Sequence, residues 1–346
     1  MRTPKGVATV PYLVLWPRAV ANGPKVPRHR PVLVVANVRD MPPGWPAVSY
    51  RGWGETCDTL HAHTQVLGKL AVALAPPEPQ LQHAALRLTA RGWETAPLPA
   101  PDGSGTFVVV LDLRVHEAVI ESSNGDLIRV ALVPDRPVGV VTREVLAAVR
   151  SLVGAVKIDP RPQEVPWKVP LDEDTEHSRY DADQVARYFA AATQAALVLA
   201  RFRAPYRGRS TPVNAWWGSF DLAVSLFSGR PAPPPSEDFI MRNAMDAQEV
   251  AIGWWPGDPR YGKAAFYAYA HPAPEGFASA TLSPGPAHWD TGLGEYILDW
   301  DDIRDSPNPG ALGLEFARSA FRHACTVCNW DAALLASAEG TPPPIS

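Results

Sequence analysis

Leucines and alanines recur at helical spacing through "ETCDTLHAHTQVLGKLAVALA". Leu60, Leu67, Leu70, Ala71 and Leu74 share one face and predict a helix over 55–75. Pro76 and Pro77 stop it. Period-two alternation follows. "AALRLTARG" and "WETAPLP" flank a turn at Gly92, and "TFVVVLDLRV", "HEAVIESS" and "DLIRVALV" predict a meander with Asn124-Gly125 as a hairpin turn. A helix over 142–153 closes this half. The second half opens on a long helix in "YDADQVARYFAAATQAALVLARFRA", with Asp181 or Asp183 as N-cap. Strands are predicted over 213–227, 248–255, 264–271 and 294–299, then a helix over 308–328.

The pattern gives an α+β fold: antiparallel β-sheets with long covering helices, in two similar-sized halves packed as one unit. Residues 1–44 read as an N-terminal extension, in which "VLVVANV" (32–38) could add a strand. Residues 45–157 form the first half, 158–175 a Pro-rich connector, 176–336 the second half and 337–346 a tail.

Composition narrows the classes. The 346 residues carry a net charge of −4, with six lysines against 26 arginines and no basic stripe, which disfavours nucleic acid. No apolar run reaches membrane-spanning length. The start has a loose signal-peptide shape, but Pro11 and Pro17 interrupt its apolar stretch and Arg18 precedes the cleavage-like Ala19-Val20-Ala21. Three cysteines, Cys57, Cys325 and Cys328, argue for a reducing compartment, so a cytoplasmic location is expected. Phosphate-loop, dinucleotide, serine-hydrolase and zinc-protease motifs are absent.

Candidate chemistry centres on "NAWWGSFDLAVSLFSG" (214–229). Read as one strand, it puts Trp216, Phe220, Leu222, Val224 and Leu226 on a core face and Trp217, Ser219, Asp221 and Ser225 on the other. The next two strands add Glu249, then Tyr267, Tyr269 and His271, to that mixed face. One reading is a solvated sheet face. The other is an aromatic-walled cleft with a few polar groups, the usual form of a small-molecule site. Asp221, Glu249 and His271 could then transfer protons. On the first helix, His61, Gln65 and Lys69 fall on a flank that is either solvated or a polar wall of the cleft, and His63 reads as a core histidine. "DEDTEHSRYD" (172–181) could hold a cation but lacks calcium-loop spacing, so a helix-dipole role is favoured. "HACTVC" lacks the second pair that a zinc site needs. No metal is expected, and no cofactor is specified.

From about Trp45 to Trp330 the chain resembles a bacterial family known as domain of unknown function 5996. The likeness is carried by "DTLHAHTQVLGKLAVALAP", "LTARGWETAPLP", "DEDTEHSRYD", "PVNAWWGSFDLAVSLFSGRPAP", "QEVAIGWWPG", "FYAYAHPAPEGF" and "GEYILDWDDIR". It implies no activity. The family pattern has a histidine before the glutamate of "QEVAIGWWPG", where this chain has Gln248. Were that histidine a base or ligand, this member would be altered or inactive. "HACTVC" lies outside the pattern.

The leading expectation is an enzyme acting on a small organic molecule. Asp221, Glu249 and His271 are its acid–base groups. His61, Gln65, Lys69, Trp217, Ser219, Tyr267 and Tyr269 bind the substrate. The alternatives are a non-catalytic binder of a small molecule or peptide, and a structural or interaction module. The sequence leaves the oligomeric state open.

Overall fold

The computed structural model describes residues 44–340. The signal-peptide-like stretch and the "VLVVANV" strand fall outside them. Helix α1 (Tyr50–Leu74) starts five residues earlier than its apolar spacing predicts. Its first turn is held by the Tyr50 hydroxyl, which donates to both Asp58 oxygens at 2.9 and 3.0 Å. α1 is buried on nearly every side rather than along one stripe, and its core residues include His61, His63, Thr64, Gln65 and Lys69. Such a helix runs through the interior, so its polar side chains need partners inside the protein.

Strands β1 (Arg87–Leu88), β2 (Gly92–Glu94), β3 (Leu98–Pro99), β4 (Thr106–Asp112), β5 (Glu117–Ser122) and β6 (Leu127–Ala131) form the first sheet. All its pairings are antiparallel, in the order β1-β2-β4-β5-β6 with β3 also on β4. Gly92 has φ +144°, and a Cβ there would lie 2.1 Å from the Leu111 carbonyl oxygen, so the turn requires glycine. Helix α2 (Val138–Val153) begins four residues before its predicted start. Helix α3 (Ala182–Arg203) is capped by Asp181, which accepts from the Asp183 and Gln184 N–H groups.

The second sheet contains β7 (Asn214–Trp216), β8 (Asp221–Pro231), β9 (Ala247–Trp255), β10 (Ala265–His271), β11 (His288–Asp290) and β12 (Glu295–Asp299). The short helix α4 (Phe239–Ala244) lies between β8 and β9. The order is β11-β12-β10-β9-β8-β7, again antiparallel. Helices α5 (Trp300–Ile303), α6 (Pro309–Val327) and α7 (Ala332–Glu339) complete the chain. Val224, Ile252, Trp254, Phe266 and Leu298 turn one sheet face into a core shared with α3, α6, α1 and the first sheet. The fold is therefore α+β with two antiparallel sheets. Backbone bonds between Leu86 and Ala215, at 3.1 and 2.9 Å, join the edges of the two sheets.

Residues 213–227 are not one strand. The chain reverses at 217–220, and Trp216 pairs with Asp221. Trp216 therefore shares Asp221's face instead of the core face expected of it. Trp217 and Phe220 leave the sheet and enter the main core. The cause is tertiary: Gly68 on α1 leaves a gap that the Trp217 indole fills. A Cβ on Gly68 would lie 2.1 Å from Trp217 Cγ. The Trp217 Nε1 donates to the Ala84 carbonyl at 3.1 Å, which fixes the ring.

Gly68→Ala is expected to destabilise the protein by about 3 kcal/mol, because the indole is enclosed and cannot yield. Denaturant unfolding of the variant against wild type measures this.

Candidate functional site

Strand register sets the floor of the site. Asp221 and Ser225 of β8, Glu249, Gly253 and Trp255 of β9, and Tyr267, Tyr269 and His271 of β10 occupy one face of the second sheet. Tyr267 lies opposite Gly253, whose missing side chain lets the ring lie flat across the backbone. A Cβ there would be 2.2 Å from Tyr267 Cζ. Tyr267 and Tyr269 stack with parallel planes, 6.2 Å between centroids and 3° apart. Trp255 meets Tyr267 edge-on at 5.7 Å.

Asp221 is 5% exposed. Tyr267 donates to its Oδ2 and Ser219 to its Oδ1. Burial raises its pKa, and these two hydroxyls partly offset the rise. Glu164 comes from the connector, and its carboxyl lies against the bare Cα of Gly218. The residue is exposed, yet protein crowds its carboxyl. That crowding, with Asp221 and Asp238 nearby, pushes it up to about 7. Glu249, 4% exposed, is pushed up to about 7 by burial, against the pull of Ser225 and Arg209. Glu295 on β12 also rises to about 7, through burial and then the Asp221 charge. Tyr269 is held far above the usual phenol range by burial and by the charges of Glu249, Glu295, Asp221 and Glu164. Among the described residues, no lysine or arginine makes an ion pair with any of these four acids.

Two left-handed residues flank the cluster: Phe220 at φ +58° beside Asp221, and Glu164 at φ +59°. Neither is glycine, asparagine or aspartate, so each stores local strain that the surrounding contacts must hold.

The other expected site residues occupy a second layer. His61 Nε2 lies 3.0 Å from both the Trp217 and Gly218 carbonyl oxygens. Both are acceptors, so Nε2 carries the proton. Burial lowers the ring's pKa to about 4, which keeps it neutral. Gln65 clasps the connector backbone twice: its Nε2 donates to the Gln163 carbonyl, and its Oε1 accepts from the Gln163 N–H, both at 2.9 Å. His61 and Gln65 thus hold the two loops that carry Ser219 and Glu164, without lying on the acidic face. Lys69 and Trp217 sit together in this layer, with Lys69 Nζ 5.5 Å from the indole centroid. Ser219 is exposed, on the turn. His271 shares the sheet face but closes its end, with Nε2 3.0 Å from the Pro233 carbonyl oxygen.

Glu164 and Glu295 are the members that strand alternation did not yield. Glu164 lies in a loop with no periodicity to read. Glu295 alternates in step with Ile297, and that signal could have found it. Gln248 falls on the face opposite Glu249, and its Oε1 is buried without a partner. A histidine at that position would not join the acidic cluster directly.

The remaining motifs have local roles. Asp174, at the heart of the acidic run, accepts from the Glu176 and His177 N–H groups and from His177 Nδ1 at 2.7 Å. His323 Nε2 meets the Phe277 carbonyl at 2.8 Å. Among the described residues, no group of three or more His, Cys, Asp or Glu is placed to hold a metal. A groove of about 1080 Å³ lies apart from Asp221, lined by Tyr50, Asp58, Arg179, Asp181 and Arg260 among others.

With this architecture in view, the class is that of an α+β protein with an acidic aromatic sheet face. The chain belongs to the family of unknown function DUF5996, whose model matches residues 45–337. No curated protein and no solved structure matches it. In the described residues no helix is long and apolar enough to cross a membrane.

A glutamate whose folded pKa is raised from 4.5 to about 7 binds its proton more tightly in the folded state. The stability linked to it is present below the unfolded value and is lost as pH rises through about 7. His61 and His63, lowered to about 4, act in the opposite sense below pH 6.5. Comparing wild type with Glu249→Gln cancels their share. The variant is expected to gain up to about 3 kcal/mol relative to wild type between pH 5 and pH 8, read from urea midpoints across that range.

Proposed function

We propose that the face around Asp221 is the active site of an enzyme acting on a small organic molecule by carboxyl acid–base chemistry. The observation that carries this reading is the crowding of four carboxyl groups around two stacked tyrosines, with no basic side chain paired to them. A carboxyl held near 7 exchanges its proton at neutral pH, as a general acid or base must. Glu164, the one exposed residue of the four, is the group best placed to meet a substrate first. Asp221, gripped by Ser219 and Tyr267, keeps a fixed orientation beneath it. In this reading Glu164 and Glu295 take the place beside Asp221 that alternation suggested for His271.

The same imbalance points to the substrate's charge. A ligand carrying a basic nitrogen would supply the missing positive charge, and the tyrosine and tryptophan faces suit an organic cation.

The test is a thermal-shift series with small primary, tertiary and quaternary amines, alongside neutral and acidic compounds of similar size. Amines are expected to raise the melting temperature of wild type and to leave Asp221→Asn, folded by circular dichroism, unshifted. Equal shifts from neutral compounds, or an unchanged amine response in the variant, would count against the site. Native mass compared with denatured mass of freshly purified protein then asks whether an amine is already retained.

A further inference from the structure

One buried nucleophile stands outside the acidic cluster. Lys69 is 4% exposed, so its methylene stem is enclosed. Its amine has no hydrogen bond and no ion pair among the described residues, and it is not among the buried polar atoms that lack a partner. Water therefore still reaches the nitrogen. The Trp217 indole centroid lies 5.5 Å away, and that ring is itself pinned through its Nε1 to the Ala84 carbonyl. The charge of Asp159 reaches it without an ion pair, and that carboxylate is held by Arg161 through Nε at 3.0 Å and through its terminal nitrogen at 2.7 Å. Lys69 thus has an enclosed stem, an opening at the nitrogen and no acid in ion-pair contact with it among the described residues.

We propose that Lys69 is a carbonyl-reactive amine, whose ε-nitrogen condenses with a small aldehyde or ketone to form an imine. The neutral nitrogen's lone pair attacks the carbonyl carbon, and the C=O π electrons move to oxygen, which takes up a proton. The carbinolamine then loses its C–O bond. The oxygen leaves as water with a second proton, the nitrogen lone pair forms the C=N bond, and the nitrogen's two original protons pass to solvent, balancing the two that the oxygen took up. No oxidant or reductant is needed. The environment favours the first step, because burial lowers this amine to about 8. Buried lysines of this kind serve as Schiff-base residues in other proteins. At pH 7 such an amine is about one-tenth neutral, against about one part in 2500 for an ordinary lysine. Lower basicity weakens the nucleophile, as it does for thiols, and leaves a net advantage of about tenfold.

The experiment uses the full chain, propanal as the probe and cyanoborohydride to reduce any imine to a stable secondary amine, with peptide mapping by mass spectrometry. The exposed Lys157 and Lys168 serve as internal references. Lys69 is expected to be modified about tenfold faster than either at pH 7. Its rate should rise with pH, level off above about 8, and lose its advantage in guanidinium. The proposal is overturned if Lys69 in the folded chain reacts no faster than Lys157 and Lys168. Because the readout is a mapped adduct on wild-type protein, it depends neither on the folding of a variant nor on the chemistry at Asp221.

Discussion

The four-residue reversal at 217–220, locked against α1, is the constraint on which the rest of the site depends. Trp217 drops into the space that Gly68 leaves open, and one protonated imidazole nitrogen of His61 holds the carbonyls of Trp217 and Gly218. A tryptophan buries roughly 150–250 Å². At about 25 cal/mol per Å², that stabilises the turn by roughly 4–6 kcal/mol relative to an exposed ring. This is enough to hold Phe220 at a left-handed φ and to deliver Asp221 to the first position of β8, directly opposite Trp216. Phe220 completes the lock by stacking on His61, Trp93 and Tyr188 at 5.0–5.2 Å.

Because α1 is interior, its polar residues act as fasteners between layers. His61 holds the turn and Gln65 holds the connector. Trp167 of the connector lies between His61, at 5.2 Å, and His177, at 4.4 Å. His177 is in turn fixed by the buried Asp174, whose bond raises its pKa. These contacts determine where Glu164 stands. The "HAHTQ" and "DEDTEHSRYD" segments, about 110 residues apart, thus belong to one structural unit, and their chemistry is mostly that of orientation.

The second sheet separates two environments by the alternation of its strands. Its inner face is apolar and shared with α3 and α6. The other face carries three acids among aromatic rings, and Glu164 of the connector stands beside them. Mutual repulsion and burial would make four ionised carboxylates costly there, and the raised pKa values are how the protein limits that cost. An arrangement that disfavours its own full ionisation is a poor stabiliser. Together with the left-handed Glu164 and Phe220, it is an arrangement that the surrounding contacts must hold in place.

Local periodicity determined a good deal. Side-chain period located the four long helices to within about five residues while leaving the short α4, α5 and α7 unread, made the antiparallel sheets legible, and put Asp221, Glu249, Tyr267, Tyr269 and His271 on one face, because strand alternation is a property of neighbouring residues. It could not show that "NAWWGSFDL" reverses, because the reversal is stabilised by a helix some 150 residues earlier, and without the Gly68 contact the segment reads as one strand. Nor could it show that His61, Gln65 and Lys69 are inside. Their helix is amphipathic in spacing, and only the packing of sheets and connector around it decides how much of its circumference is covered. Glu164 lay beyond reach for a simpler reason: a connector has no period, and its position beside Asp221 exists only once α1 has drawn the two loops together.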